Sequence, residues 1–371
     1  MMKKRLTALI ICVSIVLSLS VSAFAESEAK VYTLSLEDAI NMALEKDSAY
    51  VSADLKIKDA EKQLQQANKN KKDVQGISVK VSSGISGFLL QRGYYVEQAK
   101  IGVESAKLEK QQILASDAYA ITQQYYGVKL AERLLKSAEN SYKLALDNNN
   151  TMEKQYSLGL VSQLDLNNAK HALNQAKAAC DKYKRSMELA VKNLAATIFI
   201  EEDNYILNLT DDIEYIEFAT NIEDDINKAL ETRYDVYMLK SALLLAQKME
   251  NIADIFGYTS AEFSSANQNR VQSEVTYNKT KKLIGIAINA SYNEILDAKD
   301  SLTLAEEKLN LSKQEYDIAV IQYNLGLITN SQLTAAINAA SNAGTELENA
   351  KLAYKLAVEK YGYEITIGLG Q

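Results

Sequence analysis

Apolar and polar positions in the C-terminal third follow one rule. Leu302, Ala305, Leu309, Ser312, Tyr316, Ala319, Tyr323 and Gly326 succeed one another at alternating steps of three and four residues. Held over more than three heptads, that spacing predicts a long helix with a seam turned to a partner helix. The arm that follows carries small residues, Ala336, Ala339 and Ala343, and an earlier arm carries Ala169, Ala172, Ala176 and Ala179 before Tyr183. Small residues let backbones approach, and the tyrosines of the other arm fill the seam, small against large. An unbroken helix from about Tyr95 to Tyr156 would be roughly 90 Å long. That length suits a tube, stalk or fibre.

The pattern is duplicated. Tyr156-Ser157-Leu158-Gly159-Leu160-Val161-Ser162 returns 167 residues later as Tyr323-Asn324-Leu325-Gly326-Leu327-Ile328-Thr329, and Leu189-Ala190-Val191 returns as Leu356-Ala357-Val358 at the same offset. Upstream, Tyr142 and Ala145 resemble Tyr316 and Ala319 at an offset of 174. The first copy thus reads as seven residues longer, one heptad, with Asp147 to Asn150 as the expected place. Further back, Ala39-Ile40 and Ala43-Leu44-Glu45 resemble Asp225-Ile226 and Ala229-Leu230-Glu231. Each half is therefore expected to be a long antiparallel helical hairpin preceded by a further helix. The fold class is mainly all-α, with residues 26–200 as the first hairpin repeat, 201–219 as an acidic, aromatic linker, and 220–371 as the second repeat.

At each turn the residues carry capping chemistry. Gly159 and Gly326 suit the left-handed conformation that ends a helix. Ser162 with Asp165, and Thr329 with Gln332, have the spacing of a capping box that opens the return helix. Leu158, Leu160, Leu325 and Leu327 flank the glycines, either as a docking surface or as the apolar contact of the C-cap.

Composition sharpens this picture. Among 371 residues there is no proline and no tryptophan. A chain without proline has few forced helix breaks. Met1 to Ala25 reads as an export signal: Lys3, Lys4 and Arg5, then an apolar run, then Ala23-Phe24-Ala25. Its removal takes the 41 basic residues to 38 against 48 acidic ones, a balance that argues against a nucleic-acid partner. It also removes Cys12 and leaves Cys180 alone, so no internal disulfide can form. A single histidine, His171, disfavours the common zinc sites. No phosphate loop, His-Glu-x-x-His or Gly-x-Ser-x-Gly occurs. The expectation is a non-enzyme with no cofactor, no metal and no catalytic residues. Carboxylates such as Glu132, four residues before Lys136, read as a solvated helix face.

The paired Tyr-x-x-Gly-Leu-x-Ser/Thr turns, the duplicated hairpins, the export signal and the Ala-Ile-x-x-Ala-Leu opening resemble the TolC-type outer-membrane efflux protein family, from about Leu34 to Gly368. The resemblance implies a homotrimeric hollow helical cylinder whose tips meet a periplasmic membrane-fusion adaptor linked to an inner-membrane pump. It also implies a twelve-stranded barrel, four strands from each protomer. By position, Leu158, Gly159, Leu160, Leu325, Gly326 and Leu327 would be the adaptor-docking tips. The acidic residues the family often places after its second tip are missing from Asn330 to Ala336. The barrel fares no better. A spanning strand needs about 9–11 alternating residues. In the slot from Gly76 to Gly93, only Ile77, Val79 and Val81 alternate, and the slot from Phe256 to Asn269 offers no strand pair. A reduced or missing barrel is expected. The place would be the cell envelope: the outer membrane where the host has one, otherwise the membrane exterior or wall zone. The rival reading is a non-conducting envelope stalk or scaffold.

Overall fold

A computed structural model describes residues 29–80, 84–202 and 204–369. The expected export signal and Cys12 lie outside these residues. The chain runs β1 (Lys30–Leu34), α1 (Leu36–Lys46), α2 (Ser48–Asp73), α3 (Ile85–Gln91), α4 (Tyr94–Ser157), α5 (Gln163–Thr197), β2 (Tyr205–Leu209), α6 (Ile222–Thr232), α7 (Tyr234–Ala253), a 3-10 turn (Asp254–Phe256), α8 (Ala261–Asn324) and α9 (Asn330–Glu364).

Two hairpins dominate, α4 with α5 and α8 with α9. The descending helices α4 and α8 each have 64 residues, and the return helices α5 and α9 each have 35. A 64-residue helix is about 96 Å long. Asp147 to Asn150 is continuous helix within α4, so no loop accommodates the expected extra heptad. Both ends of each hairpin helix match across the repeat at an offset of 167. A one-heptad slip preserves the face on which every residue sits, and the recurring Tyr-x-x-Ala pairs follow the face rather than the backbone.

The seam on α8 is turned inward. Leu302, Ala305, Ser312 and Ala319 are buried, and Leu309, Tyr316 and Tyr323 are half-buried. On α9, Ala343 is fully buried, but Ala339 faces solvent. The alanine face of α5 is also less closed than its pattern suggested. Ala172, Ala176 and Ala179 line an open groove of about 310 Å³ between α4, α5 and α9. A second stripe on α8 is left uncovered among the described residues: Leu304, Leu311, Ile318 and Ile321 are exposed.

The two halves are joined by hydrogen-bonded tyrosines. β1 and β2 pair in parallel, Lys30 opposite Tyr205 through Leu34 opposite Leu209, so β2 lies within the stretch read as linker. Tyr125 of α4 is fully buried under this pair. Its hydroxyl donates to the Leu34 carbonyl and accepts from the Asp211 amide, both at 2.9 Å. In the second half Tyr354 donates to the Ile216 carbonyl at 2.8 Å and accepts from the Phe218 amide at 3.2 Å. Buried hydroxyls need such partners, and here three of the four are backbone groups of the connecting segment, the fourth being the Leu34 carbonyl of β1. Arg233 closes the second half. It forks onto Asp235 and also reaches the carbonyl and carboxylate of Glu364. Gly368 permits this approach, because a Cβ there would stand 2.9 Å from the guanidinium carbon.

Among the described residues neither barrel slot holds a strand. In the first slot α3 takes the place, and Val79 packs against Gly87 of that helix. In the second, the 3-10 turn leads within four residues to Ser260, which caps α8. Phe88, Leu89 and Ile252 form a small buried cluster here, with Phe88 meeting the Phe256 ring edge-on at 5.7 Å. Val81 lies outside the described residues, so the alternation from Ile77 is followed only through Val79, where no strand forms.

Candidate functional site at the hairpin tips

Both tips are built the same way. α4 ends at Ser157, and Gly159 adopts φ +72°; α8 ends at Asn324, and Gly326 adopts φ +71°. At the first tip the Leu160 amide donates to the Gln155 carbonyl and the Gly159 amide to the Tyr156 carbonyl, both at 2.9 Å. At the second, Leu327 donates to Gln322 at 2.8 Å and Gly326 to Tyr323 at 2.9 Å. This pair of bonds is the Schellman motif, which satisfies the last carbonyls of a helix. The chain then turns into a capping box. The Asp165 amide donates to Ser162 Oγ at 3.2 Å, and the Ser162 amide donates to Asp165 Oδ2 at 3.1 Å. At the second tip the Gln332 amide donates to Thr329 Oγ1 at 3.3 Å, and the Thr329 amide donates to Gln332 Oε1 at 2.8 Å.

The two boxes differ in charge. Hydrogen bonds from the Ser162 hydroxyl and then its amide hold the Asp165 carboxyl below its usual range. Gln332 does the same geometric work without a titratable group.

The flanking leucines are left over. Leu158, Leu160, Leu325 and Leu327 are 72%, 70%, 68% and 70% exposed. In a Schellman motif the residue after the glycine often packs on the third-last helical residue. Here those positions are Gln155 and Gln322, which offer little apolar surface. Leu164, in the first turn of α5, is 67% exposed and extends the first tip's apolar surface. Its signal in the sequence is its place between Ser162 and Asp165, inside the capping-box spacing. Behind the first tip, Met152, Leu166 and Ala169 are buried, and the Tyr323 hydroxyl lies 3.7 Å from the Met152 sulfur. The two tips are thereby tied into one end of the molecule. Asn149 and Asn330 are buried, and Asn149 Oδ1 and both polar atoms of the Asn330 amide have no partner there.

The remaining candidates carry no site. His171 is exposed on α5, and Cys180 is a half-buried free cysteine. Glu132 pairs with Lys129 at 3.3 Å, three residues away, instead of Lys136. Among the described residues no cluster of three metal-ligating side chains occurs, and no helix is long and apolar enough to cross a membrane.

No protein-family model and no curated protein sequence matches the chain. Solved structures do. CusC, described for the conformational changes that accompany its folding and transmembrane channel formation, superposes with a TM-score of 0.72 at 13% identity, over 94% of this chain and 96% of that one. A membrane protein from Pseudomonas aeruginosa gives 0.71 at 11% identity, over 91% of each chain. The CmeC outer-membrane channel of Campylobacter jejuni gives 0.67 at 13% identity, over 91% of this chain and 87% of that one. At these identities the likeness is one of fold. The chain has the fold of TolC-type outer-membrane channel protomers, in a mainly helical form with a single two-stranded sheet among the described residues.

Proposed function

We propose that the chain is the protomer of a trimeric helical duct in the cell envelope, serving efflux or export, and that it docks an adaptor through its two tips. The observation that carries this reading is the exposed leucine pair at each tip, held on a fixed turn at the end of a helix about 96 Å long. The unpartnered stripe on α8 supports self-association, since Leu304, Leu311 and Ile318 repeat every seven residues and another copy can cover them. The fold of outer-membrane channels over about 90% of the chain supports a conduit and gives no reason to expect catalysis. The duct itself would be passive, with energy supplied by a partner pump.

The absence of barrel strands among the described residues favours a second reading, a stalk or scaffold that conducts nothing. The first test is the mass of the protein in detergent-free buffer, by light scattering on a sizing column. A soluble trimer is expected from a duct that needs no lipid-facing barrel. A monomer that stays monomeric when adaptor is added would sink the duct reading.

A further inference from the structure

We propose that the end of the molecule opposite the tips is a contact surface for an anionic phospholipid membrane, resting on the bilayer instead of crossing it. This reading does not depend on whether the helices enclose a duct. Residues 69–93 carry Lys69, Lys71, Lys72, Lys80 and Arg92 against Asp73 alone, in a chain whose acidic residues otherwise outnumber its basic ones. All five are exposed, and among the described residues none has an ion-pair partner. Lys71 and Lys72 also complement the C-terminus of α2. Lys69, Lys80 and Arg92 have no such role.

The fold gathers these charges at one place. The Lys71 ammonium lies beside Gly93, within 2.9 Å of where a Cβ would stand. Gln91 Nε2 donates to the Ile77 carbonyl at 2.9 Å, which ties the loop after α2 to α3. The Phe88–Phe256 contact brings in the turn that carries Tyr258. Nearby carboxylates are largely engaged: Glu97 faces Lys100 and Lys248, and Glu250 faces Arg270. Asp73, Asp254 and Glu262 are the acidic groups left at this end.

Charge alone would suit any polyanion. The apolar residues decide for a lipid surface. Ile77 is 55% exposed and Tyr258 is 73% exposed, with its ring edge-on to Phe263 at 4.9 Å. Lysines around exposed aliphatic and aromatic side chains match an interface with phosphate headgroups outside and acyl chains beneath. A soluble polyanion has no use for Ile77 and Tyr258.

The test is co-sedimentation of the purified protein with phosphatidylcholine vesicles, with and without phosphatidylglycerol. Binding is expected only when phosphatidylglycerol is present. Lys69→Gln, Lys80→Gln and Arg92→Gln together should weaken it roughly a hundredfold. An equal charge change far away, at Lys143, Lys154 and Lys177, should leave it unaltered, and both variants share the native N-terminus. Ile77→Ser with Tyr258→Ser should also weaken vesicle binding, with melting unchanged in every variant. Equal binding to both vesicle types, equal loss in the remote variant, or binding to soluble polyphosphate that outcompetes vesicles and ignores Ile77 and Tyr258 would each overturn the proposal.

Discussion

Removing the tip leucines separates docking from folding. Burying a leucine side chain is worth about 1.5–3 kcal/mol relative to leaving it exposed. With each tip leucine about 70% exposed, about 1–2 kcal/mol per side chain remains available to a partner. Leu158→Ser with Leu160→Ser should therefore cost an adaptor about 2–4 kcal/mol per protomer, roughly thirtyfold to several hundredfold in affinity. The same change should barely touch stability, because surface substitutions usually stay within about 0.5 kcal/mol. The assay is calorimetric titration of a membrane-fusion-type adaptor into the purified protein, beside thermal melting of the same variants. All four leucines changed to serine should abolish measurable binding. The reasoning fails if the double variant binds within threefold of the native chain. It fails equally if melting drops by several degrees, since the leucines would then be packing their own turns.

The remaining tests probe the supports of that surface. Gly159 and Gly326 adopt left-handed backbone with open space where a Cβ would sit, so only backbone strain opposes substitution. Valine there should cost about 1–2 kcal/mol and speed amide exchange at Leu160 or Leu327, whereas asparagine, which tolerates this conformation, should leave exchange near native. Acid should loosen the tips unequally. Asp165 is held below its usual range by Ser162, so its contribution is complete above the ordinary carboxylate range and is lost as pH falls through the depressed value. Gln332 has nothing to titrate, so exchange in the first turn of α5 should rise before that of α9, after correction for intrinsic rates. Asp165→Asn should erase the pH-dependent difference; if the difference persists, the carboxylate is not its source. Arg233→Ala leaves Glu364 and the more exposed Asp235 without their shared cation. Breaking a buried pair costs about 3–5 kcal/mol, and Asp235's exposure lowers the expected loss to about 2–4 kcal/mol. Urea unfolding reads this directly, and a change below about 0.5 kcal/mol would remove Arg233 from the supports of the fold.

What could be read from the sequence follows from the range of each signal. The α8 seam was legible because its spacing repeats within one helix, and the tips were legible because a glycine, a leucine pair and a capping box lie within ten residues. The β1–β2 pair was not: each strand has five residues, and their partners lie about 175 positions apart, so no local period announces them. Nor was the work of the tyrosines legible. Tyr125 and Tyr354 sit at helical spacing that fits plain packing, and only the fold shows their hydroxyls holding the connecting backbone. α8 shows the limit most clearly. Its first seam runs through Leu302, Leu309 and Tyr316. Leu304, Leu311 and Ile318 repeat every seven residues too, two positions after Leu302, Leu309 and Tyr316. A helix with two apolar seams needs two neighbours. One neighbour is α9, and among the described residues none covers the second seam. The second seam thus fits the self-association proposed above, in the same heptad code that specified the hairpin.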